Sequence, residues 1–112
     1  MVLLKKEDVL YERDETGNLI AKEVELVIDE DDPEQQPYKG NKIFITPIDR
    51  IKLKELIDKA SSDKGADFDG VVILDHCKNP SFTKDEIVYM KPALVSIIAK
   101  TILKESGLPV PK

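Results

Sequence analysis

The stretch Lys42-Ile43-Phe44-Ile45-Thr46-Pro47-Ile48-Asp49 decides the fold, because it passes from strand chemistry to helix chemistry with no spacer. Its first half is short, β-branched and aromatic, the composition of a strand. Its second half offers a capping threonine, a proline at the first helical position and a carboxylate at the third, so a helix starts there. Asp49 is an alternative cap that would let Ile48 staple to Leu53, which leaves the boundary open by about three residues. Leu53, Leu56, Ile57 and Ala60 then fall in one arc, predicting an amphipathic helix to about Ser61. Ile51 lies on the charged side with Lys54, Glu55 and Asp58.

Upstream the pattern is β. Leu19–Ile28 alternates, with Ile20, Val24, Leu26 and Ile28 on one face and Glu23 and Glu25 on the other, as a half-buried strand does. Asp8–Arg13 is its expected partner. Asp14-Glu-Thr-Gly-Asn18 supplies the turn, where Gly17 and Asn18 tolerate positive φ, so the pair reads as an antiparallel hairpin. Residues 29–40 hold two prolines and end on Gly40, with five carboxylates between Asp29 and Glu34. They read as a mobile acidic loop without a regular element.

Downstream the pattern is helical. After a polar break from Ser61 to Asp67, Phe68–Cys77 reads as a short helix, though Val71-Val72-Ile73 would also suit a strand. Asn79-Pro80 ends it, since the residue before proline is pushed out of the helical region. Thr83-Lys-Asp-Glu86 matches a capping box and opens a short turn through Ile87, Val88 and Met90. The last helix starts at Pro92 and stops at Gly107. Its apolar arc is wide, from Leu94, Val95 and Ile98 to Ala99, Ile102 and Leu103, while Lys100 and Lys104 mark the wet side with Ile97 between them. Strands first and helices after is an α+β order. The expectation is an N-terminal hairpin plus a third strand, with three to four helices packed on it. One domain is expected over 1–112, with an acidic β-rich part to residue 46, a helical part over 47–108 and a tail at 109–112.

Composition narrows the function classes. Seventeen basic against twenty-two acidic residues gives net −5, which argues against a broad nucleic-acid surface. Residues 1–40 carry net −7 and residues 41–112 net +2. No run approaches the ~18 apolar residues of a membrane span, and the short apolar run before Lys5-Lys6 has the wrong order for a secretory signal. One cysteine makes no intrachain disulfide, so a reducing cytoplasm is the expected compartment. At this length burial and chain entropy nearly cancel, at about 1.5 kcal/mol of ordering cost per residue, so self-association is an option.

Chemistry-bearing constellations are sparse. His76 and Cys77 are neighbours on a helix and point about 100° apart, so they do not converge as base and nucleophile. A lone histidine and a lone cysteine fall short of a zinc set, and the dipole of a helix C-terminus accounts for His76. Asp63–Gly70 looks briefly like a calcium loop, but its first and twelfth positions are then Gly65 and His76, where carboxylates are needed. The remaining paired carboxylates lie on exposed positions. No catalytic residue, metal or cofactor is expected. What stands out is apolar surface. Ile51 and Ile97 sit on the wrong sides of their helices, and with Ile98 and Leu103 they form the expected partner-binding face.

Residues 42–108 also resemble a known family. Asp75-His-Cys-Lys-Asn-Pro-Ser-Phe-Thr-Lys-Asp-Glu86, then Met90-Lys-Pro and Ile98–Leu108, resemble tail assembly chaperones of long-tailed bacteriophages and their prophage or archaeal relatives. The shared cadence is a short helix ending in Cys77-Lys-Asn-Pro-Ser-Phe-Thr83, acidic residues after it, and a helix closing on Ser106-Gly107. The resemblance implies a non-enzymatic protein of the infected cell's cytoplasm, absent from the mature virion. It would coat the tape measure protein and help tail tube subunits assemble around it. Cys77, Pro80, Phe82, Thr83 and Glu86 are the matching positions, and they read as structural. Two other classes fit the composition: a minor tail-completion or connector component kept in the particle, and a small acidic regulator that binds a basic partner through residues 29–34.

Overall fold

In the computed structural model, which describes residues 3–62 and 67–108, the chain is an α+β protein. Its sheet has three antiparallel strands in the order β1 (Lys22–Glu25), β2 (Lys42–Ile45) and β3 (Cys77–Asn79). Among the described residues five α-helices accompany it: α1 (Lys6–Val9), α2 (Arg50–Ser62), α3 (Phe68–His76), α4 (Lys84–Val88) and α5 (Pro92–Glu105). Val24, Ile43 and Ile45 point from the sheet into one aliphatic cluster, which Leu56, Val72, Ile73, Ile98 and Ile102 complete from the helices. None of the described helices is long and apolar enough to cross a membrane.

The fold class stands, but the membership of the sheet differs from expectation. Residues 8–13 form no strand. They supply part of α1 and a single antiparallel bridge, Arg13 to Leu19. Lys6-Glu7-Asp8 carries no β-branched residue and favours a helical turn over pairing. β1 pairs instead with β2, in the register Lys22 to Ile45 and Glu25 to Lys42. Val24 and Leu26 are buried as the alternation predicts, while Ile20 stays exposed beyond the strand's end.

Cys77–Asn79, where the sequence predicts only the end of a helix, is the strand β3. The same rule explains both roles: the residue before a proline is held extended, so Asn79 is already shaped to pair with Phe44. Residues 29–40 likewise contain a regular element, a 3-10 turn at Gln36–Tyr38. Side chains do the organising there. Asp29 and Asp32 accept from the backbone N–H of Asp31 (3.0 Å) and Glu34 (2.9 Å), and Gln35 accepts from Asp29 N–H at 2.6 Å. Tyr38 packs against the core.

Helix boundaries follow the capping chemistry. α2 takes the later of its two starts: Asp49 accepts from Lys52 N–H at 2.8 Å, and Ile48 is buried, with Leu53 packed on the same cluster. Ile57, placed on the buried arc of that helix, is half exposed. The capping box at Thr83 and Glu86 is complete in both directions. α5 ends with Gly107 at φ +72°, where Leu108 N–H reaches Leu103 C=O (2.9 Å) and Gly107 N–H reaches Lys104 C=O (3.0 Å).

α5 is the hub. Thr101 Oγ1 donates to Ile97 C=O (2.7 Å) and accepts from Val27 N–H (2.9 Å). Ser106 Oγ donates to Ile102 C=O and accepts from Ile48 N–H, both at 2.8 Å. Tyr11 donates to Ser106 C=O at 3.1 Å, and α3 packs along the same helix. Elements from both halves of the sequence therefore converge on one helix.

Candidate protein-binding site

That convergence overturns most of the expected binding face. Ile97 is 1% exposed, and Ile98 and Leu103 are also buried, so none of the three offers surface to a partner. The wheel placed Ile97 toward Lys100 and Lys104, as on a helix with one covered side. α5 has two covered sides, because the sheet-side backbone bonds to Thr101 and Ser106 while α3 lies against it elsewhere. Only Ile51 keeps its predicted place, 68% exposed on α2.

The apolar surface lies elsewhere. Leu3 and Leu4 are 82% and 78% exposed, and Val9 and Leu10 of the same N-terminal arm are open too. Val88 and Tyr89 stand out at the end of α4, Tyr89 with 87% of its surface bare. The arm carried one legible signal: Leu3-Leu4 has no periodic apolar partner in the next turn and is followed at once by Lys5-Lys6. A groove of about 430 Å³ runs from Asp67 and Asp69 past Ile87, Val88 and Met90 to Val95. Burial, then the neighbouring Asp67, raises the Asp69 carboxyl above its ordinary value.

Cys77, Pro80, Phe82, Thr83 and Glu86 hold the local structure. Cys77 is buried, its Sγ–H donates to Pro80 C=O at 3.1 Å, and burial pushes its thiol up to about 11. Such a thiol is protonated near neutrality and does not serve as a nucleophile unaided. Phe82 packs against the core, and the Asn79–Pro80 bond is cis.

A second cleft, of about 700 Å³, is lined by Arg13, Thr46, Lys52, Lys59, Asp75 and His76 among others. Its charges largely satisfy each other: Arg13 pairs with Asp49, Lys52 with Glu55 at 3.3 Å, and Lys59 with Asp75 at 2.8 Å. His76 is buried and is not the charged dipole partner expected from its place at a helix end. Burial lowers its pKa, against the opposing bond to Thr46. Because a carbonyl only accepts, Nδ1 carries the proton and donates to Thr46 C=O at 3.0 Å. Nε2 makes no hydrogen bond among the described residues. The ring thus ties the end of α3 to the segment that follows β2, and Cys77 Sγ is committed to Pro80.

Among the described residues, no group of three or more His, Cys, Asp or Glu gathers as metal ligands would. Residues 63–66 of the calcium-like stretch lie outside the described residues, and Asp67 within it caps α3 by accepting from Gly70 N–H at 3.0 Å. No known protein family, curated protein or solved structure matches the chain.

Proposed function

We propose that the chain is a non-catalytic tail assembly chaperone of the host cytoplasm, which shields apolar helices of a tape measure protein and yields them to tail tube subunits. The observation that carries this reading is the aliphatic surface left bare on a small acidic protein. Eleven large apolar side chains stand open among the described residues, against fifteen apolar residues buried in the core. Scattered surface aliphatics are ordinary, but so high a ratio on so short a chain favours a protein that lends surface to another. The resemblance of residues 42–108 supplies the client class.

Contact is assigned to Ile51 on α2 and Tyr89 after α4, in place of the buried Ile97, Ile98 and Leu103. Modest affinity at each copy, summed along a long client, allows displacement when tube subunits arrive. The acidic first forty residues, net −7, keep the coated client soluble and disfavour nucleic acid.

The test is co-expression with the tape measure gene of the same genome. The native chain is expected to bring the client into the soluble fraction. Ile51→Asp with Tyr89→Asp is expected to lose that effect while melting at the native temperature. A client that stays insoluble beside the native chain overturns the reading.

A further inference from the structure

The N-terminal arm and the groove beside α4 have complementary chemistry, and in the single chain the arm's leucines and Val88 of the groove stand uncovered. The arm reads Leu3-Leu4-Lys5-Lys6, two bare aliphatics followed by the only adjacent pair of cations in the first forty residues. The groove offers apolar walls from Ile87, Val88, Met90 and Val95, with the carboxylates of Asp67 and Asp69 at one end. None of these four charged residues is in an ion pair among the described residues. The root of the arm is fixed elsewhere, since Tyr11 is bonded to Ser106 at the far end of α5 from Val95. In this arrangement Leu3 and Leu4 remain outside their own groove.

We propose that the groove between α4 and the start of α5 receives residues 3–6 of a second copy of this chain. Leu3 and Leu4 then cover the apolar walls, and Lys5 and Lys6 meet Asp67 and Asp69. Each copy has one arm and one groove, so reciprocal exchange closes a two-fold dimer with the same contact made twice. Charge supports that pairing over an arbitrary one. The chain carries net −5, so two copies repel in general and attract where Lys5 and Lys6, at the tip of the arm ahead of Glu7 and Asp8, meet the carboxylates. The inference is independent of the client, because it concerns only surfaces of this chain.

Sedimentation of the full chain across the micromolar range tests it. The native chain is expected to dimerise, and Lys5→Glu with Lys6→Glu to weaken the dimer at least about tenfold. Adding Asp69→Lys to that variant is expected to restore it. The arm is exposed and Asp69 is not the α3 cap, so circular dichroism should show every variant folded. For the contact itself, a Leu4→Cys chain mixed with a Val88→Cys chain is expected to give a covalent heterodimer on oxidation. The native Cys77 is buried and takes no part. A chain that stays monomeric, a dimer indifferent to the arm substitutions, or a disulfide formed only within a doubly substituted chain overturns the proposal.

Discussion

An aspartate in place of Ile97 would put an unpaired carboxylate at the centre of the core, where isolated charges are among the costliest groups to hold. Ile97→Asp is expected to be insoluble or unfolded. Ile97→Ala is expected to lose about 2–5 kcal/mol in a denaturant titration. Ile51→Asp, on the open side of α2, is expected to change stability by about 0.5 kcal/mol at most. The two isoleucines looked alike in the chain, each an aliphatic among charges. What distinguishes them is how many elements pack on each helix, and a helical wheel cannot count neighbours. His76 gives the pH dependence at this scale. Its pKa is depressed below 6.5 by burial, so the unfolded chain binds the proton more readily than the folded one. Its contribution is complete above that value and is lost as pH falls through it. Melting temperature is therefore expected to fall as pH drops below about 6.5, and to fall less steeply in His76→Asn, which keeps a donor for Thr46.

At the scale of elements, local signals decided what was legible. The capping box at Thr83, the proline at the start of α5 and the glycine after its end all stand where the residues put them. Each is a short-range bond between neighbours, so each survives without knowledge of the rest of the fold. The pairing of strands is long-range and escapes such signals: β2 takes β1 and β3 as neighbours, while residues 8–13 make one bridge. Of the residues expected on the apolar face only Ile51 is exposed, and the arm's leucines are flagged by nothing stronger than their lack of a periodic apolar partner. One local device has an unusual constraint. Asp67 folds back over Gly70, and a Cβ at position 70 would collide with Asp67 Oδ1. Gly70→Ala is expected to displace this cap and cost about 1 kcal/mol in thermal denaturation, despite alanine's better helix propensity. Asp67→Ala is expected to cost a similar amount, and the double variant little more than either alone.

At the scale of the whole molecule, α5 and its cap tie the early part of the sequence to the late part. Residues 11, 22, 27 and 48 each bond to it, through Ser106, Glu105, Thr101 and Ser106 again, and α3 packs along it. The strands also pair with one another, and α3 packs on α2 and α4 as well as on α5. Its order in the chain has a biological consequence. While a ribosome is still translating toward residue 103, the emerging polypeptide lacks the partners that this helix and its cap offer to Tyr11, Val27 and Ile48. The part of the interior that Ile97, Ile98, Ile102 and Leu103 fill is therefore completed only once that helix has been made.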